Sequence, residues 1–288
     1  MRLGAHVSIA GGIDRAIERA ESEGFETLQI FTKSNQQWAA RPLRDSEVSA
    51  FISHRRQLGI APAVAHASYL INLASPDPAL WRKSQRSLRQ ELQRCARLEL
   101  DGLIVHPGAH CGSGRQAGLE RIARAIELSV EDDMPPLLLE TTAGQGTQLG
   151  SDLADLGWLC DRFESHHVAV CVDTCHVHAA GMALDSARAA TRLLGRLDRT
   201  VGRDRVRCLH LNDSVHPAGS RRDRHAGITE GTIAPAAFGA LLRARRLQGL
   251  AGILETPKGK DGCMDAVNIR RLRALQHGRP PEVRGIDR

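Results

Sequence analysis

The stretch Val168-Ala169-Val170-Cys171-Val172-Asp173-Thr174-Cys175-His176 decides the architecture. Five apolar residues run without polar alternation, as in a strand buried on both faces of a parallel sheet. The run then reaches a carboxylate and, three residues later, an imidazole at the turn leaving the strand. With 168–176 read as one strand, seven further short runs read as strands: residues 2–8, 27–33, 61–68, 102–108, 136–143, 206–213 and 252–257. Helical patterns fill the intervals at 14–23, 45–59, 77–98, 116–131, 151–163, 186–201, 235–247 and 265–276. Gly24 and Gly59 supply left-handed C-terminal stops. Asp45 reads as a helix cap, and Asp77-Pro78 as a cap followed by proline at the first helical position.

Eight strand–helix repeats fit a closed barrel. An open doubly wound sheet would need a glycine-rich phosphate loop at one switch point, and neither Gly11-Gly12 nor Gly144-Gln145-Gly146 has that spacing. The expected fold is therefore α/β, a single (β/α)8 TIM barrel over residues 1–277 with a polar tail over 278–288. The chain has 288 residues, a length one barrel fills. Its 42% apolar and 25% charged residues exclude a disordered chain, collagen or a coiled-coil rod. No run is long enough to span a membrane, and no export signal is visible, so a cytoplasmic, monomeric protein is expected. The net charge of +6 says little about partners, because only Lys33, Lys83, Lys258 and Lys260 are lysines among 39 basic residues.

In such a barrel the chemistry sits at the C-terminal strand ends. Those positions hold His66, His106, Glu140, Asp173, His210 and Glu255. Each alone reads as a hydrogen-bonded structural group. Six converging ionisable groups would be costly, and divalent cations are the simplest compensation. His176 joins them through its spacing from Asp173. Asp223 and His225 join them because residues i and i+2 of an extended loop point the same way. Nine donors suit two or three ions, and imidazoles with carboxylates and no thiolate favour Zn²⁺ or Mn²⁺. Three such ions against four carboxylates leave about +2, a charge suited to a phosphodiester anion.

The motifs then resemble the endonuclease IV family of apurinic/apyrimidinic endonucleases along nearly the whole chain. The matching stretches begin at Gly4-Ala5-His6-Val7-Ser8 and His66-Ala67-Ser68-Tyr69-Leu70-Ile71-Asn72-Leu73. They continue with His106-Pro107-Gly108, Glu140-Thr141-Thr142-Ala143-Gly144-Gln145-Gly146 and Asp173-Thr174-Cys175-His176. His210-Leu211-Asn212-Asp213, Gly219-Ser220-Arg221 through Asp223-Arg224-His225, and Leu254-Glu255-Thr256 complete the series. The resemblance implies a metal-dependent DNA-repair enzyme on a TIM barrel. It acts on duplex DNA 5′ to an abasic site and leaves 3′-hydroxyl and 5′-deoxyribose phosphate ends.

It further implies three zinc ions per chain. His66 and His106 hold one, with Glu140 bridging to a second that Asp173, His210 and Glu255 complete, and Mn²⁺ is possible at this middle site. His176, Asp223 and His225 hold the third. Glu140 and Glu255 are the implied catalytic carboxylates, and Tyr69, Gln36, Lys33, Arg221, Arg222 and Arg224 the implied DNA contacts. Three positions depart from the family pattern: Gln36 stands where an arginine wedge is usual, Ala67 where some relatives have aspartate, and Thr229 where glycine is usual. His6 and His110 fall near matched motifs and read as hydrogen-bonding supports. A rival reading, a single-metal sugar isomerase or epimerase, uses Glu140, Asp173, His210 and Glu255 alone and leaves the other five donors idle.

Overall fold

The computed structural model describes residues 1–164, 166–260 and 262–281. Its strands are β1 (Arg2–His6), β2 (Thr27–Phe31), β3 (Ala63–His66), β4 (Leu103–Val105), β5 (Leu137–Glu140), β6 (Val168–Asp173) and β7 (Val206–His210), then β8 (Asp213–Ser214), β9 (His225–Ala226) and β10 (Ala251–Leu254). The α-helices are α1 (Arg15–Ser22), α2 (Asp45–Leu58), α3 (Pro78–Arg97), α4 (Arg115–Glu127) and α5 (Leu153–Cys160). They continue as α6 (Thr174–Ala179), α7 (Ala187–Thr200), α8 (Pro235–Arg243) and α9 (Met264–Gln276). Eight strands close a barrel in the order β1-β10-β7-β6-β5-β4-β3-β2, every pairing parallel. The expected TIM barrel is the observed fold. The tail expected over 278–288 falls largely on 282–288, outside the described residues.

Strand periodicity explains how the barrel aims its polar groups. Val64, Ile104, Leu138, Ala169, Cys171, Cys208, Ala251 and Ile253 form one buried cluster inside the barrel. A larger cluster, including Leu3, Leu28, Ala65, Leu103, Leu139, Val170 and Leu209, packs between strands and helices. Side chains alternate along a strand. Two residues beyond Val64, Ile104, Leu138, Cys171, Cys208 and Ile253 stand His66, His106, Glu140, Asp173, His210 and Glu255. All six are therefore the next inward position above the inner apolar layer.

Three local readings need correction. The sixth strand stops at Asp173, three residues earlier than expected. The Asp173 carboxylate accepts from His176 N at 2.9 Å and caps α6, which starts with no intervening loop. Asp45 is the first residue of α2, not its cap. Arg44 occupies the cap position, and its N–H donates to Glu47 Oε2 at 3.3 Å. The loop carrying Asp223 also leaves and re-enters through a short antiparallel pair, β8 with β9, which the sequence reading does not anticipate.

Thr229, one of the departures from the family pattern, carries a backbone cost. Its φ of 70° lies in the left-handed region, which costs a β-branched residue roughly 1–2 kcal/mol. Its buried hydroxyl has no hydrogen-bond partner among the described residues. Thr229→Gly relieves both, offset by about 0.5–1 kcal/mol of extra unfolded-chain entropy. The variant is expected to melt about 2 °C higher in a thermal scan, and a lower melting temperature would show that the threonine side chain contributes packing.

Candidate metal centre

Glu140 lies at the middle of the cluster and is fully buried. Its Oε2 is 3.1 Å from His66 Nε2 and 2.9 Å from His106 Nε2. Its Oε1 is 2.8 Å from His210 Nδ1, which also lies 3.1 Å from Glu255 Oε2 and 3.8 Å from Asp173 Oδ2. On the other side His176 Nε2 is 3.1 Å and His225 Nε2 is 3.5 Å from Asp223 Oδ1, and His225 Nε2 is 3.5 Å from Asp173 Oδ2. The fold thus brings all nine side chains singled out in the sequence into one cluster.

The hydrogen atoms in this cluster can be placed from its carbonyl contacts. His66 Nδ1 is 2.7 Å from Ala67 O, His176 Nδ1 is 2.8 Å from Thr141 O, and His225 Nδ1 is 3.2 Å from Glu255 O. A carbonyl oxygen only accepts, so each Nδ1 carries the proton and each Nε2 presents a lone pair. Every one of those lone pairs faces a carboxylate oxygen. His176 Nε2 and His225 Nε2 are buried and have no hydrogen-bond partner among the described residues. Lone pair facing carboxylate is repulsive unless a cation lies between, so the donor set fits metal ions. Protons fill that role in the metal-free chain. Against the opposing effect of burial, neighbouring carboxylates raise His66 above the usual imidazole range, and His176 and His210 well above it. The same imidazoles hold buried Glu140 and Glu255 well below the usual carboxylate range.

Gln29, on β2, was missed from the sequence and fixes the geometry of His210. Its amide nitrogen is 2.6 Å from Glu255 Oε1 and 2.8 Å from His6 Nδ1, and the ionised carboxylate requires a donor there. Its Oε1 must then accept from His210 Nε2, at 2.8 Å, which leaves His210 Nδ1 as the free lone pair. Asn212 acts similarly, donating to Asp173 Oδ2 at 2.6 Å and accepting from Glu255 N at 2.8 Å. His6 is a support as expected, through Gln29. His110 is not; its Nδ1 accepts from Gly114 N at 3.3 Å, at the head of α4.

Residues 17–275 match the family model described as a xylose isomerase-like TIM barrel. A protein named probable endonuclease 4 from Chloroflexus aurantiacus is 44% identical over 281 residues, 96% of this chain and 99% of that one. One of the same name from Geobacter sulfurreducens is 40% identical over 291 residues, 98% of this chain and 97% of its own length. The crystal structure of endonuclease IV from Thermus thermophilus superposes with a TM-score of 0.85 at 40% identity, covering 96% and 100% of the two chains. The chain belongs to the endonuclease IV family. A D-tagatose 3-epimerase-like protein superposes with a TM-score of 0.73 at 17% identity, over 96% and 97% of the chains, and shows the shared fold alone.

In this endonuclease IV relative a cleft of about 490 Å³ opens over the cluster, lined by His66, Tyr69, His106, His176, Asp223 and Glu255 among others. A larger hollow, about 870 Å³, lies between segments 9–13 and 32–44 and is lined by none of the nine donors. Tyr69 stands 60% exposed at the cleft mouth, its ring 5.3 Å from that of His66. Gln36, Arg221, Arg222 and Arg224 are all exposed. Lys33 is a correction. It is 5% exposed, with Nζ 3.4 Å from Glu91 Oε1 and donating to Gln37 O at 2.7 Å, so its charge is spent inside the protein. Lys33 braces the 33–38 loop and offers no exposed charge at the surface. The same Glu91 oxygen accepts from Ser68 N at 3.3 Å, while Ser68 Oγ donates to Asn35 O at 2.7 Å. The two loops at the cleft mouth are thereby tied together.

Proposed function

We propose that this endonuclease hydrolyses the phosphodiester bond 5′ to an abasic site in duplex DNA, with three zinc ions held by the nine clustered side chains. The P–O3′ bond breaks, the oxygen of water joins phosphorus, and the ends left are a 3′-hydroxyl and a 5′-deoxyribose phosphate. The observation that carries the reading is the set of imidazole nitrogens aimed at carboxylate oxygens, an arrangement that metal ions satisfy when bound and protons satisfy in the metal-free chain. His66, His106 and Glu140 would hold one ion, Glu140, Asp173, His210 and Glu255 a second that also admits Mn²⁺, and His176, Asp223 and His225 a third. Bound divalent ions supply Lewis acidity to phosphoryl oxygens and lower the pKa of water.

The protein residues do the positioning. Glu140 and Glu255 hold negative charge fixed at the centre, with Gln29 and Asn212 orienting Glu255 from either side. Tyr69 lines the cleft mouth, where the abasic sugar would enter. Arg221, Arg222 and Arg224 offer guanidinium forks to the DNA backbone. Gln36 reaches toward the base stack with hydrogen-bonding capacity and no charge. We take the enzyme to work as a monomer in the cytoplasm. No helix among the described residues is long and apolar enough to cross a membrane.

Purified protein is expected to nick a duplex bearing a synthetic abasic site, to lose that activity to a chelator and to recover it with zinc. Because raised histidine pKa values mean protons stay on the metal-free site to higher pH, metal must displace them. Chelator-stripping is therefore expected to be faster at pH 5.5 than at pH 8. No nicking by a chain carrying three metal ions refutes the reading, and a single ion per chain revives the epimerase alternative.

A further inference from the structure

Helix α7 carries an arginine track that the cleft does not use. Arg188, Arg192, Arg196 and Arg199 line one side of a groove of about 720 Å³, closed on the other side by Gly181, Met182 and Ala183. The adjoining face of α7 is apolar and buried, through Ala189, Ala190, Leu193 and Leu197, and its Ala189 and Leu193 form part of the groove floor. On other helices the exposed arginines are commonly neutralised: Arg15 by Glu18, Arg56 by Glu99, Arg89 by Glu131 and Arg124 by Glu127. Here Arg196 alone approaches a carboxylate, Asp152 at 3.8 Å. Arg188, Arg192 and Arg199 are exposed and have no acidic partner among the described residues. Three unpaired guanidinium groups on one helical stripe repel one another unless an anion is shared between them. Gly195 weakens the helix by about 1 kcal/mol relative to alanine, and Arg199 Nη1 lies 3.5 Å from where a Cβ there would stand, so the guanidinium lies along the stripe.

The track also continues the cleft. The C-terminal end of α6, just before the groove residues 181–183, is bonded to the loop that carries Asp223, with Gly219 N donating to His178 O at 3.2 Å and Arg221 N to Ala179 O at 3.0 Å. Helices of a (β/α)8 barrel run antiparallel to its strands, so Arg188 lies at the metal-site end and Arg199 about 16 Å further down the wall. Arg224, Arg222 and Arg221, then the groove, then Arg188 to Arg199 make a cationic path leading outward from the nine donors. We propose that the α7 groove binds the sugar-phosphate backbone of duplex DNA flanking the cleaved site, extending the footprint beyond the cleft. The choice of DNA as the anion rests on the proposed function. The planar forks and their regular rise favour a repeating phosphate over an acidic peptide.

The test is fluorescence anisotropy of the full, metal-loaded chain with an undamaged duplex of about 30 base pairs, across a salt series. Each phosphate contact contributes about 0.9 to the slope of log Kd against log salt, so R188Q/R192Q/R199Q is expected to flatten that slope by about 2.7. The corresponding triple lysine variant keeps the charge and is expected to keep most of the slope. An unchanged slope in the glutamine variant overturns the proposal. So does a poly-glutamate peptide that binds the parent but not the glutamine variant while duplex binding stays the same. Nicking at abasic sites with an unaltered slope removes the track and leaves the nuclease. A flattened slope in a metal-loaded chain that never nicks supports the track and removes the nuclease.

Discussion

Glu140→Gln is expected to lower turnover on an abasic duplex by about a thousandfold or more and to reduce bound metal by at least one ion per chain. The side chain keeps its size, so the effect is one of charge. Among the described residues Glu140 is the one carboxylate within 3.5 Å of four imidazoles, those of His66, His106, His176 and His210. An amide in its place offers one weak acceptor and turns a donor toward lone pairs that already need a cation. Removing one member of a buried charged set leaves its partners uncompensated, typically at about 3–5 kcal/mol. Metal content by mass spectrometry and single-turnover nicking separate the two losses. A variant that keeps the parent's metal and more than a tenth of its rate would show that Glu140 neither bridges nor organises the centre.

The barrel and the six strand-end donors were legible because both follow from strand periodicity. Unalternating runs such as Leu137–Leu139 marked strands covered on both faces, and the polar residue ending each run had to point inward. What stayed hidden depends on distant or neutral partners. The family resemblance implies Lys33 as a DNA contact, and the partner that buries its charge, Glu91, arrives from α3 and is distant in the chain. The early end of β6 was masked because Asp173 serves at once as strand end and helix cap. Thr229 was visible as a departure, but its strain required the backbone angle.

Gln29 is the most instructive of the hidden residues, since a neutral amide in the middle of an apolar strand carries no ligand signature. Its partners lie 23, 181 and 226 residues away. Gln29→Leu keeps the volume but leaves His210 Nε2 and Glu255 Oε1 without their partner inside the barrel. The His210 tautomer is then no longer fixed, and a flip that offers Nε2 in place of Nδ1 moves the lone pair away from Glu140. Supporting residues of this kind typically contribute 10–100-fold in metal affinity or activity, and a loss of about that size is expected in chelator competition and in nicking. Loss of packing alone would lower the melting temperature of metal-free and metal-loaded protein equally. Loss of orientation lowers mainly the loaded form, because the stability that metal adds falls with its affinity. Excess zinc should then restore much of the nicking rate; equal destabilisation of both forms with unchanged metal affinity would make Gln29 a packing residue only.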